Sequence, residues 1–291
     1  MPVPEALDLS AGTLRLRIDP AHGGTVRSLV TVARGRAEPV LRLDAGDGTG
    51  VLDAACFPMV PFCNRLAPAQ VVVDGRLIPI PGIPDVWRPH PIHGLGWCSA
   101  WRVRTFDTSH AVIQHSHDGS IWPWAYEAEQ AFTLTPGALR IVLTLRNRAD
   151  SPMPCGLGLH PYFPKPAQTR LTTVVDGCWT TDDIPVPTAW RALDATERFD
   201  DGRLLDDLAI DQCFTGWNGH AVIAWPDRSF AVALSASANA DVVQLYAPPA
   251  QPFFCLEPMT HVPNTLDGPL LAPGAARSVT LQVAVIPISP R

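Results

Sequence analysis

Lysine is almost missing from this chain, occurring once in 291 residues, at Lys165. Its positive charge is therefore nearly all arginine, which favours planar bidentate contacts over point charges. Basic runs are missing too, and 22 Lys+Arg against 28 Asp+Glu leave a net charge of −6. That balance lacks the electrostatic footprint which nucleic acid or an anionic membrane requires, so neither is expected as a partner. No apolar run approaches the ~18 residues of a membrane span. The start, MPVPEALDLSAG, has no basic segment followed by an apolar one, so no secretory signal is expected. Seven cysteines (56, 63, 98, 155, 178, 213 and 255) form no CxxC pair, which argues against a zinc knuckle or a thioredoxin-like centre. An odd count fits free core thiols, and a cytoplasmic location is the expectation.

Long helical patterns are also scarce, because 31 prolines are scattered along the whole chain. Between them the apolar residues alternate with period two: Leu14, Leu16 and Ile18, then Leu139, Ile141, Leu143 and Leu145. Such alternation marks half-buried strands. Further strands are expected in 28–33, 101–106, 111–116, 221–225, 230–234, 242–247 and 278–286, bounded by Gly, Pro, Asp and Asn. No strand is followed by an amphipathic helix of ten or more residues, which speaks against a parallel doubly wound sheet or a (β/α)8 barrel. With 46% hydrophobic residues the chain can bury a large core. The expected fold is all-β, stacked antiparallel sheets in one domain over 1–291, with 180–203 an elaborated loop.

Four segments put ionisable residues where their neighbours predict burial. In FPMVPFCNRLAP (57–68), Asn64 and Arg65 interrupt an apolar run; the arginine either pairs with a structural carboxylate or faces a ligand. In RPHPIHGLGW (88–97), His93 precedes Gly94, a residue that permits close approach of backbone or ligand. In CGLGLHPYFP (155–164), strand alternation puts Gly156, Gly158 and His160 on one face. Either the two glycines leave a hollow for a flat small molecule beside the imidazole, or they mark a bend or bulge. In QPFFCLEPMTHVPN (251–264), Glu257 shares a strand face with Phe253 and Cys255, where desolvation should raise its pKa and poise it as a base.

Other chemistries lack their signatures. There is no GxSxG elbow, and GDGTG (46–50) matches neither the phosphate-binding loop nor the dinucleotide fingerprint. His90 and His93 form an HxxH pair without a carboxylate or thiolate at ligand spacing. Acid–base chemistry with no metal and no cofactor is the expectation.

Taken together, IDPAHGGTVRSL (18–29), FPMVPFCNRL, HGLGW, GLGLHPYF, DQCF (211–214) and FCLEP resemble, in their order and spacing, the aldose 1-epimerase or galactose mutarotase-like family. The resemblance covers nearly the whole chain. It implies a large β-sandwich whose groove binds a free sugar and interconverts its α and β anomers. By motif position the family's arginine falls on Arg65, its first histidine on His93, its acid histidine on His160, its substrate-binding aspartate on Asp211 and its base glutamate on Glu257. Asp206 and Asp207 are the other carboxylates near the aspartate position. Opening a cyclic hemiacetal needs a base for the anomeric hydroxyl and an acid for the ring oxygen, roles that the resemblance gives to Glu257 and His160. His93 and Arg65, with Asn64 beside them, would orient sugar oxygens. The branch acting on phosphorylated sugars resembles HGFAR where this chain reads HGLGW (93–97), so Trp97 offers an apolar plate in place of a guanidinium and a neutral sugar is expected. Arg65 and Arg88 are the cations left for a phosphate. The competing expectations are a non-catalytic sugar-binding protein on the same fold and a mutarotase for a phosphorylated hexose. A glycoside hydrolase is disfavoured, since it uses two carboxylates across the scissile bond and one is apparent. A monomer or homodimer is expected.

Overall fold

A computed structural model describes residues 6–33, 35–44, 50–80, 89–206 and 208–288. Arg88, Asp207 and most of the GDGTG segment lie outside them. In chain order the strands are β1 (Leu7–Ala11), β2 (Leu14–Asp19), β3 (Thr25–Ala33), β4 (Arg36–Pro39), β5 (Cys56–Met59), β6 (Gln70–Val73), β7 (Arg76–Pro79), β8 (Arg102–Phe106), β9 (His110–Asp118), β10 (Ala125–Leu134) and β11 (Ala138–Asn147). They continue as β12 (Gly158–Pro164), β13 (Arg170–Thr173), β14 (Gly177–Thr181), β15 (Pro187–Ala192), β16 (Arg203–Leu204), β17 (Ile210–Thr215), β18 (His220–Ala224), β19 (Phe230–Ala236), β20 (Val242–Ala247), β21 (Phe253–Met259) and β22 (Ala276–Pro287). The helical turns among the described residues are three-residue 3-10 pieces, and no helix there is long and apolar enough to cross a membrane.

Two large antiparallel sheets carry the fold. One has eleven strands in the order β1-β2-β3-β5-β12-β21-β20-β17-β14-β15, with β4 on β3; the other has nine, β16-β13-β18-β19-β22-β11-β10-β9-β8. A single buried cluster draws Leu9, Leu16 and Leu256 from the first sheet and Ile141, Leu143 and Leu281 from the second, so the protein is a large antiparallel β-sandwich.

The two sheets differ in burial, and the difference locates the site. β10 and β11 alternate buried with partly exposed residues, as strands with one wet face must. By contrast β5 and β12 are buried almost throughout, and β20 and β21 nearly so. These middle strands of the eleven-stranded sheet give one face to the core and the other to a cavity. The 180–203 segment is more ordered than expected. It contributes β15, which pairs with β14, and a capping box between Asp194 and Glu197. Six of the cysteines are buried free thiols, as expected; Cys98 departs by being exposed.

Candidate active site

The register of the middle strands writes the site across the sheet in rows. Phe57 on β5 faces His160 on β12. The paired positions Gly158↔Met259 and Tyr162↔Cys255 put His160 opposite Glu257 on β21, and Glu257 pairs with Gln244 on β20. Two residues along, Tyr162, Cys255, Tyr246 and Asp211 form the parallel row. Positions i and i+2 share a strand face, so both rows look the same way. Pro161 and Pro258, which sit just after His160 and Glu257, have no N–H to donate to the ladder.

The face they share walls a cavity of about 790 Å³. All seven residues singled out in the sequence line it: Asn64, Arg65, His93, Trp97, His160, Asp211 and Glu257. Sequence reasoning missed Arg42, Gln244, Tyr162, Tyr246 and Phe253, which also line it. Tyr162 and Phe253 lay within quoted motifs; Arg42 and Gln244 carried no local signal. Asp206 faces elsewhere, its carboxylate accepting the Gln168 N–H at 2.7 Å; among the described aspartates, Asp211 and Asp183 line the cavity.

His160 and Glu257 are in direct contact, Nε2 to Oε1 at 3.1 Å, and are only 6% and 2% exposed. Burial holds the Glu257 carboxyl well above the usual carboxylate range, and Asp211 pushes it the same way while Arg65 opposes. Burial also holds the His160 imidazole well below its ordinary value, with His93 and Arg42 adding to it. Glu257 Oε2, His160 Nδ1 and Gln244 Oε1 are buried without a hydrogen-bond partner. Three such atoms in one place are the kind of exception that a polar ligand explains. Gln244 Nε2 donates to Asp211 Oδ1 at 2.6 Å, tying the exposed aspartate to the buried end of the site.

The opposite wall is built from loops. Asn64 and His93 both adopt left-handed backbone, at φ 54° and 58°, which costs a non-glycine residue on the order of 1–3 kcal/mol. Mutual bonding holds them there. The His93 N–H donates to Asn64 O at 3.0 Å, and the Asn64 N–H donates to His93 Nδ1 at 3.2 Å. With Nδ1 accepting, the imidazole proton sits on Nε2. Burial, then the charge of Arg65, lowers this histidine to about 3, so near neutral pH it is an uncharged Nε2–H donor.

Trp97 is 3% exposed and stacks on Phe57 at 5.4 Å. Its indole N–H donates to the carbonyls of Ile92 and Gly94 at 3.2 and 3.0 Å, the two that bracket His93. Trp97 is thus less an open plate than a brace for the histidine.

The glycines are the clearest correction. A Cβ on Gly156 would lie 2.0 Å from the His261 ring, and one on Gly158 would lie 2.7 Å from Met59 Cε and 2.8 Å from Cys63 Sγ. The space beside His160 is filled by protein, so these glycines permit close packing instead of leaving a hollow. Gly94 behaves alike: at φ 69° its Cβ would meet Val60 O at 2.1 Å.

As for metals, His160, Cys255 and Glu257 are the described group whose donor atoms, one from each, lie within 4.8 Å of one another. Burial, then Glu257, pushes the Cys255 thiol well up, so it stands there protonated. His90 lines the cavity near His93 but belongs to no such group.

Fold and site define a class: a β-sandwich protein with a polar, aromatic-walled cavity on the face of its larger sheet. The chain belongs to the aldose 1-epimerase family, whose family model matches residues 9–284. It is 29% identical over 297 residues to the uncharacterized protein YphB of Escherichia coli K12, covering 95% of this chain and 97% of that one. Among solved structures it is similar to an Escherichia coli K12 protein with a provisional aldose 1-epimerase designation, with TM-score 0.88 and 28% identity, over 97% of this chain and 99% of that one. The GalM/aldose epimerase homologue from C. elegans shares the fold, with TM-score 0.82 and 18% identity over 98% and 99% of the two chains.

Proposed function

We propose that the protein is a mutarotase, interconverting the α and β anomers of a free, neutral aldose by general acid–base ring opening. The observation that carries the reading is the buried His160–Glu257 contact of 3.1 Å on the wall of the cavity. Ring opening requires a base at the anomeric hydroxyl and an acid at the ring oxygen of one C1–O5 unit. Glu257 offers the uncommitted Oε2 to the hydroxyl. His160 turns to the ring oxygen the contact it now makes with Glu257. Rotation about C1–C2 then presents the other aldehyde face, and reclosure runs the two roles in reverse, returning both residues to their starting state. Each proton transfer contributes roughly 10²–10⁴-fold.

Arg65, the His93 Nε2–H and Asn64 hold sugar oxygens on one wall, and Asp211, steadied by Gln244, does so on the other. Hydrogen-bond donors fixed in a buried site stabilise charge as it develops on the ring oxygen. A sugar-binding protein without activity would need Asp211 and the aromatic wall but not the paired acid and base, and that pairing favours the enzyme. NMR of freshly dissolved α-glucose, α-galactose and pentoses tests the reading and identifies the sugar. Faster growth of the β anomeric signal with protein is expected for at least one of them, and the spontaneous rate for all would contradict it.

A further inference from the structure

Arg42 stands at the head of a short column, Arg42–Tyr162–His160, on the wall of the site. Its guanidinium carbon lies 3.6 Å from the centre of the Tyr162 ring. Tyr162 stacks on His160 at 4.7 Å and 29°, His160 on Phe57 at 4.3 Å and 27°, and Phe57 on Trp97 at 5.4 Å and 28°. Phe57 and Tyr162 are themselves only 6.2 Å apart and tilted by 53°, so they pack against the imidazole from adjacent sides, and on the Tyr162 side a fixed cation lies one ring away. Arg42 is itself immobile: Nε and Nη2 donate to Ala54 O at 3.1 and 2.9 Å, Nη2 also donates to Leu52 O, and the Phe253 ring lies 4.7 Å off. Its backbone N–H donates to Tyr162 O at 2.8 Å, which locks the column to β12.

We propose that Arg42 is a positioning residue for His160: acting through the Tyr162 ring, it fixes the plane of the imidazole and opposes positive charge on it except while Glu257 faces it as a carboxylate. The inference rests on the acid role proposed for His160. The groups facing that imidazole are Glu257 and Cys255 from β21, Cys56 from β5, His93 from the opposite loop and Tyr162 on its own strand, with Arg42 behind the last. Among them only Arg42 carries a permanent positive charge. It lowers the proton affinity of His160 in the same direction as burial does. An acid so weakened in holding its proton releases it readily to a ring oxygen, and a fixed plane keeps the nitrogen aimed.

The test compares R42Q, which loses the charge but keeps an amide donor for Ala54 O, with R42K, which keeps the charge. NMR of the histidine ring protons reads the His160 titration, and the pH dependence of kcat for anomer exchange reads its consequence. In R42Q the His160 midpoint should rise by about one pH unit, tenfold in proton affinity, and both limbs of the kcat profile should move to higher pH. R42K should stay near the wild-type midpoint. A folded R42Q with an unmoved His160 midpoint overturns the proposal and leaves Arg42 as a tie for the 52–54 turn. Should R42Q not fold, Y162L reads the column from its middle: kcat should fall about tenfold with KM little changed, as expected when an acid loses its aim, and an unchanged kcat there overturns the proposal. The titration needs no turnover. Absence of anomer exchange in the wild-type protein would therefore overturn the reading of the site while the Arg42–His160 coupling is still judged on the NMR midpoint.

Discussion

His160 Nε2 and Glu257 Oε1 lie 3.1 Å apart, at positions that face each other across β12 and β21. The contact holds one proton between two groups. Burial favours the uncharged arrangement, carboxylic acid beside neutral imidazole, because it raises one group and lowers the other. Carboxylate beside imidazolium has the same proton count. A shift of one proton across the contact would thus yield the base and the acid that the proposed ring opening needs, with no exchange with solvent.

Glu257→Gln and His160→Gln should each lower kcat by roughly 10²–10⁴-fold, because each removes a proton-transfer group at nearly constant size. His110→Gln is the control, since His110 is exposed and its imidazole bonds to Ser109 and Asp107, away from the cavity wall. Steady-state kinetics with circular dichroism on all three separates chemistry from folding. Equal, small effects would mean that the site has been misplaced.

Because the pair acts with one shared proton, kcat against pH should be bell-shaped, falling in acid as a second proton binds and in alkali as the shared one is lost. Asp211 helps to hold Glu257 high, so Asp211→Asn should move the acid limb to lower pH. It should also raise KM, by about tenfold for a lost charge-assisted hydrogen bond. An acid limb that moves upward would contradict the sign of this coupling.

Stability should also depend on pH. Burial lowers His93 to about 3 and His115 to about 4, and also lowers His261, which is half-buried, to about 4. Unfolded histidines titrate near ~6.5. These depressed groups contribute stability that is complete above that value and is lost as pH falls towards 3–4. Each of the two buried ones, His93 and His115, adds a slope of up to about 1.4 kcal/mol per pH unit. Urea midpoints between pH 7 and pH 4 should therefore fall with acid, and less steeply in His115→Gln. A flat profile over that range would show that these imidazoles already protonate in the folded protein.

How much was legible in the sequence varies with the strand. The strands with one wet face announced themselves because that face enforces alternation, as in Leu139, Ile141, Leu143 and Leu145 of β11. β5, β12 and β21 are buried on both faces, so no polar–apolar rhythm marks them. Each also carries a proline that reads as a break, and these strands build the site. The resemblance brought Arg65, His93, His160, Asp211 and Glu257 to one cavity, but the glycine argument beside His160 was wrong in its reason. Strand alternation says which face a residue shares and nothing of what fills the space opposite, here His261, Met59 and Cys63. Arg42 was invisible for a related cause: its partner ring, Tyr162, is 120 residues away in sequence, and it meets that ring only through the sheet.

Substrate charge is the next test. Trp97 stands where the phosphosugar-acting pattern has arginine, and it is buried against Phe57. Of the described cations on the cavity wall, Arg42 already donates to Ala54 O and Leu52 O and stacks on two rings, which leaves Arg65 among the described residues. A phosphate dianion needs several converging donors, so kcat/KM at fixed ionic strength should favour glucose or galactose over glucose 6-phosphate. A tenfold or greater preference for the ester would reverse the assignment.

The most direct test of the central claim is polarimetry of a freshly dissolved α-aldose, glucose and galactose first, with and without the protein. The account predicts that wild-type protein speeds the approach to the equilibrium rotation without changing its end point, and that the Glu257→Gln/His160→Gln double variant abolishes this acceleration while still folding. Rotation that decays at the spontaneous rate with wild-type protein, or an undiminished acceleration in the double variant, would contradict it.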